Sequence, residues 1–245
     1  ALNLFLIRDI VLQNFNENGV GLVQAVLSIS LVYISLIISS LAADYYPKLT
    51  ACIQNNPNAV KLINNQTEIL LFIGVIMMIG ISYFLKYIIL LLYSSEFLGA
   101  LNLTYWLIMS TFFRLIGYPL SYVALVKNEG IYYFLIEFIF NIILFILVYF
   151  FIKKIGIVII GIGVFVSYIF YAIFNFIYCA KEKLISYDFK LVAKIVISFF
   201  IIISSFIVLR FELLMDNLFF FIFLFLLTLL INYKLVFKDL LKLVK

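Results

Sequence analysis

Apolar runs long enough to cross a membrane recur along almost the whole chain of 245 residues. An α-helix needs about 20 residues to cross the hydrocarbon core of a bilayer, which is about 30 Å thick. Whole runs occupy 20–43, 68–93, 103–126, 131–152, 156–180, 191–209 and 217–233, and a truncated run occupies 1–12. The sequence therefore predicts an all-α polytopic integral membrane protein with about seven whole transmembrane helices and one truncated helix.

The composition indicates a lipid environment. Hydrophobic residues make up 67% of the chain and charged residues only 12%, whereas roughly 25% of the residues in soluble domains are charged. A soluble fold of this length cannot bury so much apolar surface. The chain contains no histidine, and the spacing of Cys52 and Cys179 matches neither a metal site nor a disulfide framework. We therefore expect no metal, no cofactor and no imidazole catalysis.

The segments outside the apolar runs are short. The longest connection, at 44–67, is rich in asparagine and has no apolar period of its own. The chain begins at Ala1, inside an apolar run, without the basic segment or cleavage site of a signal peptide. We therefore expect the sequence to be the C-terminal part of a longer protein, with no separate soluble domain.

Basic residues are distributed unevenly between the two sides that alternating helices create. If the C-terminus is cytoplasmic, that side holds Lys48, Lys61, Lys127, Lys181, Lys183, Lys190, Lys194, Lys234, Lys238, Lys242 and Lys245. The other side holds Lys153, Lys154 and Arg210. Cytoplasmic loops of membrane proteins are enriched in lysine and arginine, so we predict a cytoplasmic C-terminus. The net charge of +5 then reflects topology and not nucleic-acid binding.

Arg8, Lys86 and Arg114 fall inside apolar runs. Lys86 lies in the last third of its run, where a long side chain can reach the membrane surface. An arginine at the centre of a membrane helix costs about 2.5–3.5 kcal/mol and usually faces a protein interior or a water-filled cavity. At about 100° per residue, Arg114 shares a helix face with Trp106, Ser110, Gly117, Tyr118 and Ser121.

Three other runs carry similar polar stripes. The stripes consist of Gln24, Ser28, Ser35 and Ser39 on one run, Tyr133, Glu137 and Asn141 on a second, and Ser167, Tyr171, Asn175 and Tyr178 on a third. Small and hydroxylated residues also join membrane helices without any cavity, and this alternative stays open for each stripe alone. Four stripes in one bundle, with an arginine on one and Glu137 on another, favour a hydrated central cavity.

Gly117 and Pro119 interrupt the run that carries Arg114. Proline frees a backbone carbonyl and bends a helix, and glycine allows close packing beside it. Both a hinge in a moving helix and a static kink fit this pattern.

Several segments, in this order, resemble a known family. They are LIRDIVLQNF, GLVQAVLSISLVYISLIISSLAADYYPKLT, LLYSSEF, WLIMSTFFRLIGYPLSYVALVK and IEF, within about 1–180. Together they resemble the Wzx-type O-antigen translocases, which are flippases of lipopolysaccharide and other polysaccharide biosynthesis. That family belongs to the multidrug/oligosaccharidyl-lipid/polysaccharide flippase superfamily.

The resemblance implies a MATE-like fold, in which two helical lobes surround a central cavity that opens alternately to each side. Residues 1–180 then form the C-terminal transport lobe, and residues 181–245 add two peripheral transmembrane helices and a basic cytoplasmic tail. The implied cargo is an undecaprenyl-pyrophosphate-linked oligosaccharide, carried across the bacterial inner membrane. We expect a transporter and not an enzyme, with membrane lipid, polysaccharide polymerase and chain-length proteins as partners.

Candidate site residues follow from the stripes and from this cargo. Guanidinium groups are planar, permanently charged partners for phosphate, so Arg114 and Arg8 are candidates for pyrophosphate binding. The other cavity candidates are Trp106, Tyr118, Gln24, Tyr171 and Asn175. Glu137 and Asp9 are candidates for coupling to a proton or sodium ion. One alternative is a structural pairing of Glu137 with Asn141. Another is a local pair between Arg8 and Asp9. At the position of Asp9 the family is expected to have a neutral amide.

Two other functions compete with the flippase. A drug or cation antiporter of the same superfamily would use the same lobes, but its cavity should favour acidic residues, whereas the deep charges here are mostly basic. A polysaccharide polymerase or acyltransferase would need a large outer loop with catalytic Arg, His or Glu residues. The outer segments, such as NFNENG and SSEFLGA, are too short for that role.

Overall fold

The computed structural model describes residues 2–211 and 217–232. Helices account for nearly all of these residues, and the described ranges contain no β-strand. The helices are α1 (Leu2–Leu27), α2 (Tyr33–Cys52), α3 (Asn56–Leu92), α4 (Leu101–Val126), α5 (Gly130–Ile155), α6 (Val158–Lys181), α7 (Phe189–Phe211) and α8 (Asn217–Ile231). A π-helical segment, Ser28–Val32, joins α1 to α2, and a 3₁₀ segment, Ser95–Ala100, precedes α4.

Within residues 2–211 and 217–232, five helical segments are long and apolar enough to cross a membrane. They span 56–92, 95–126, 130–155, 158–181 and 189–210. These segments correspond to five of the predicted apolar runs and confirm an all-α, multi-pass membrane protein. The run predicted at 217–233 corresponds to the shorter helix α8, and the run at 20–43 is shared between α1, the π-helical segment and α2.

α1 is bent at Asn16, which separates an arm of residues 2–15 from an arm of residues 17–27. Asn16 has φ 60° and ψ −168°. Asparagine tolerates positive φ better than most residues, because its short polar side chain can bond locally. The bend separates the predicted runs at 1–12 and 20–43, but the predicted outer loop NFNENG is part of a bent helix instead.

The connection at 44–67 is largely helical, although its sequence has no apolar period. α2 extends well into this segment, and α3 begins at Asn56 after a short turn. Asn55 caps α3, because its side chain accepts a hydrogen bond from the backbone N–H of Asn58 at 3.3 Å. Pro57 fits the first turn, where a helix does not use the backbone N–H.

Buried side chains explain why this asparagine-rich segment is helical. Ala59, Ile63 and Thr67 are fully buried and follow one another at intervals of four residues, on one face of α3. Ala59 and Ile63 share an apolar cluster with Tyr45 and Leu49 of α2. So few buried positions among many asparagines make a weak periodic signal, and tertiary packing decides the structure of the segment.

α4 is the most buried of the membrane-spanning helices and packs most extensively against α6. Two glycines allow this close approach. A Cβ atom at Gly117 would lie 2.8 Å from Cδ1 of Tyr171, and a Cβ atom at Gly161 would lie 2.7 Å from the carbonyl oxygen of Leu103. No larger side chain fits at either position unless the helices move apart.

Gly161→Ala is expected to destabilise the bundle by about 1–3 kcal/mol, the usual cost of overpacking. The added methyl group would meet the backbone oxygen of Leu103, which cannot rotate away as the end of a side chain can. The midpoint of thermal unfolding in detergent measures the effect. Gly80→Ala is the matched control, because a Cβ atom there has no neighbour within 4 Å. Equal losses of stability in both variants would contradict the packing argument.

One end of the bundle is rich in lysine. The C-terminal ends of α2, α4 and α6 and the N-terminal end of α3 meet there in one apolar cluster. The lysines on these helix ends and on the start of α7 are Lys48, Lys61, Lys127, Lys181, Lys183, Lys190 and Lys194. Ion pairs join Lys127 to Glu182 and Lys194 to Glu68, so two of the lysines also connect neighbouring helices. The tail that follows residue 232 lies outside the described residues.

We expect the lysine-rich end to face the cytoplasm. In a background with Cys52 and Cys179 replaced by serine, single cysteines at Lys183 and Lys153 test this orientation. Both positions are exposed, and they lie at opposite ends of the bundle. A membrane-impermeant maleimide added to intact cells should label position 153 and leave position 183 unlabelled. The reverse pattern would invert the orientation.

Candidate functional site

A polar cavity of about 230 Å³ lies between α4, α5 and α6. We refer to it as the Arg114 cavity. Its lining consists of Arg114, Tyr118, Tyr133, Glu137, Phe140, Tyr168 and Tyr171. The structure thus brings together four residues predicted as site candidates, Arg114, Tyr118, Glu137 and Tyr171. An arginine, a carboxylate and four tyrosines in a membrane-spanning bundle are a costly arrangement, so a functional role is the default hypothesis.

Arg114 is half-buried and held by two contacts. Its Nη2 donates a hydrogen bond to Oγ of Ser35 on α2 at 2.9 Å, and its Cζ lies 5.9 Å from the centroid of the Tyr168 ring, within the range of a cation–π interaction. A guanidinium has five N–H donors, so these contacts leave donors for a ligand. Among the described residues, Arg114 makes no ion pair with Glu137 within 4 Å.

Glu137 lies on the opposite wall of the cavity from α4, on α5, and is half-buried. Asn141 donates a hydrogen bond from Nδ2 to the backbone oxygen of Glu137 at 2.6 Å. The side-chain oxygen of Asn141 in turn accepts a hydrogen bond from Nδ2 of Asn3 at 2.8 Å. Asn141 therefore contacts the backbone oxygen of Glu137 and not its carboxylate.

Aromatic rings make up most of the remaining cavity wall. Tyr168 lies 5.9 Å from Tyr171 and 4.7 Å from Phe140, measured between ring centroids. The hydroxyl of Tyr118 hydrogen-bonds with that of Tyr122 at 2.9 Å. Rings with a polar edge can both stack on a sugar and hydrogen-bond to its hydroxyl groups. The wall is therefore chemically suited to a carbohydrate beside the guanidinium.

Buried contacts hold the part of α4 around Pro119. The hydroxyl of Tyr45 donates a hydrogen bond to the carbonyl oxygen of Pro119 at 2.9 Å. Gly117, one turn from Arg114, is pressed against Tyr171 of α6. These contacts fix this part of α4 on two sides.

The structure does not bring Trp106 or Asn175 to the Arg114 cavity. Trp106 packs between Phe165 and Phe206, and its ring centroid lies 5.3 Å from that of Phe165 and 5.2 Å from that of Phe206. Asn175 is buried and donates a hydrogen bond from Nδ2 to the backbone oxygen of Tyr171 at 2.8 Å. Both side chains thus serve helix packing, because their polar or aromatic groups are already used by the protein.

Arg8 and Gln24 line a different cavity, of about 450 Å³, between the two arms of α1. Leu4, Ile7, Val23 and other apolar side chains form most of its wall. Asp9 is exposed and accepts a hydrogen bond from Nε2 of Gln13 at 2.8 Å. Within the described residues, Asp9 makes no ion pair with Arg8, and it lines neither this cavity nor the Arg114 cavity.

Sequence reasoning did not select Tyr168 or Phe140 for the cavity. The predicted stripe on α6 begins at Ser167 and continues in steps of four to Tyr171. Tyr168 is three residues before Tyr171 and equally close to it on the helix surface. An aromatic residue at that spacing is the signal that would have identified it.

Comparison with models of protein families, with curated proteins and with solved structures found no match. Fold and cavity together define an all-α, multi-pass membrane protein with a charged, tyrosine-lined cavity inside the bundle.

Proposed function

We propose that this protein translocates an undecaprenyl-pyrophosphate-linked oligosaccharide across the bacterial inner membrane by alternating access. The observation that carries the proposal is the Arg114 cavity, where a cation and four tyrosines meet inside an apolar bundle. The order of the sequence segments that resemble Wzx-type translocases supports the same cargo. A MATE-like arrangement, with this chain as one lobe, is part of the proposal.

The cavity chemistry suits a pyrophosphate. Such a group is anionic and cannot cross hydrocarbon unaided, whereas Arg114 offers charge-assisted hydrogen bonds in a planar fork. Outward movement of an anion across an inside-negative membrane is favourable by about 2.3 kcal/mol per charge per 100 mV. The membrane potential alone therefore favours export of this cargo.

The size of the cavity limits what it can hold. Its volume of about 230 Å³ is below the roughly 300–1,000 Å³ of sites that enclose drug-sized ligands. We therefore propose that it is a subsite for the pyrophosphate and the adjoining sugar, with the rest of the glycan in the wider space between the lobes.

Reconstitution tests the proposed function. The full-length protein is purified from cells and reconstituted in liposomes with a lipid-linked oligosaccharide that carries a label on a sugar. A soluble glycosidase is then added outside. With active protein, labelled lipid from the inner leaflet should reach the outside, so cleavage should proceed beyond the outer half to nearly all of the label. Cleavage that stops at the same fraction as in protein-free liposomes would contradict the proposal.

A second candidate, a cation or drug antiporter, is favoured by one feature of the same cavity. Glu137 and the ring faces of four tyrosines can bind an organic cation. The same liposomes, loaded with a fluorescent lipophilic cation, distinguish the two functions. Gradient-dependent export of the cation without any movement of the oligosaccharide would establish the antiporter.

A further inference from the structure

A groove of about 380 Å³ runs between α1 and α5, beside the Arg114 cavity. We refer to it as the lateral groove. Its lining consists of Asn3, Leu6, Phe134, Glu137, Phe138, Asn141, Ile142 and Phe145. The residues of α5 among them repeat at intervals of three and four, so they form a single stripe along that helix. Most of this stripe is aromatic or aliphatic.

The lateral groove opens toward the outside of the bundle. α5 is the least buried of the membrane-spanning helices. Phe134 and Phe138 have exposed fractions of 62% and 50%, and Ile142 is also exposed. Exposed apolar side chains on a membrane-spanning helix suit contact with hydrocarbon. A lipid chain can therefore enter the groove sideways from the bilayer.

Glu137 lines both the lateral groove and the Arg114 cavity. On α5, Tyr133 and Phe140 face the cavity, whereas Phe134 and Phe138 face the groove. The lateral groove and the Arg114 cavity are therefore adjacent, and Glu137 lies between them. One is polar and contains an arginine, and the other is apolar and open to lipid. This pairing fits one kind of molecule, a hydrocarbon chain attached to an anionic head group.

The depth of the groove decides which lipid it suits. Asn141 and Ile142 lie at the middle of α5, which spans Gly130–Ile155, and so at the middle of the membrane. Head groups of ordinary phospholipids stay at the membrane surface, far from this depth. Only a lipid whose head group is drawn into the protein places its phosphate beside Arg114 and the start of its chain here.

We propose that the lateral groove binds the first isoprene units of the polyprenyl chain while the pyrophosphate of the same molecule occupies the Arg114 cavity. This inference rests on the proposed function and specifies how the cargo is held. The hydrogen bond between Asn3 and Asn141, which both line the groove, joins α1 to α5. The groove is too small for the whole chain, so the remainder lies in the bilayer.

Photo-crosslinking in cells tests this inference. Benzoylphenylalanine is introduced at Ile142, inside the groove, or at Phe150, which is exposed on the same helix but does not line the groove. Position 142 should capture polyprenyl-linked sugar, detected by mass spectrometry of the lipid released from the protein, at least tenfold more than position 150. Capture of phospholipid alone, at equal levels at both positions, would overturn the inference.

Filling the groove with a larger side chain gives a second, independent measurement. Ile142→Trp should reduce surface polysaccharide about tenfold at normal protein level in the membrane, whereas Phe150→Trp should leave it unchanged. Full display with Ile142→Trp would overturn the groove while leaving the proposed function intact, provided that the purified protein still moves the labelled oligosaccharide in liposomes. Failure of the liposome assay would remove both proposals.

Discussion

Arg114→Ala is expected to reduce surface polysaccharide by about 10- to 150-fold while the protein still reaches the membrane. The factor corresponds to the roughly 1.5–3 kcal/mol carried by hydrogen bonds to a charged group. The guanidinium is the cation among the residues that line the cavity. Extraction of surface polysaccharide and immunoblotting of membranes measure both quantities in the same cells.

Arg114→Lys should retain part of the activity. Lysine keeps the charge but loses the planar, bidentate geometry. If Arg114 were instead needed to neutralise a buried acid, its removal would leave that acid unpaired and would lower the amount of folded protein. The contact with Ser35 and the absence of an ion pair with Glu137, among the described residues, favour the first result.

Lys86→Ala is the matched control for Arg114→Ala. Lys86 also lies in a membrane-spanning helix, but its side chain is exposed and does not line the Arg114 cavity. Its removal should leave surface polysaccharide within about twofold of the wild-type level, because an exposed charge contributes little. Normal polysaccharide with Arg114→Ala would exclude the guanidinium from cargo binding.

The helical fold was largely predictable, because the length of an apolar run sets the length of a membrane-spanning helix. The helical structure of residues 44–67 was not predictable, and the reason is physical. The N-terminal part of α3 extends beyond the membrane-spanning run, so length and hydropathy carry no information about it. It is stabilised by an Asn55 cap and by burial of Ile63 against α2. Packing against α2 joins residues that are distant in sequence, and a cap involves too few residues to produce a helical period in the sequence.

The cavity was predictable to the extent that helical periodicity determines which residues share a face. Arg114 and Tyr118 are one turn apart, and both line the cavity. Periodicity does not determine which partner helix a face meets. Trp106 shares the same predicted face, but it meets aromatic residues of α6 and α7 instead. Arg8 is similarly directed to another cavity by the bend at Asn16.

The lateral groove illustrates the same limit. Four of its six lining residues on α5 are apolar, as in a lipid-facing stripe. What distinguishes it is the packing of α1 alongside α5, which leaves a space beside Glu137. An amide pair between Asn3 and Asn141, which are 138 positions apart in the chain, is one of the contacts that join the two helices.

Glu137→Gln is expected to remove the response of transport to an imposed proton or sodium gradient while binding of the cargo is retained. Glutamine keeps the size of the side chain but can neither carry the charge nor exchange the proton. A voltage of 100 mV acting on one coupled cation is worth about 2.3 kcal/mol, or roughly 50-fold in distribution across the membrane. The variant should lose a stimulation of this order in the liposome assay.

Two features of the structure make Glu137 the place to test for coupling. Its carboxylate accepts no hydrogen bond from the described residues, since Asn141 contacts only its backbone oxygen. It also lines the same cavity as Arg114, so that a proton or sodium ion bound to its carboxylate would change the charge of the site during transport. Glu129→Gln is the control, because this exposed carboxylate lies at the start of the same helix, outside the cavity. Unchanged stimulation by the gradient in Glu137→Gln would assign Glu137 to the structure of the cavity and leave the membrane potential as the driving force.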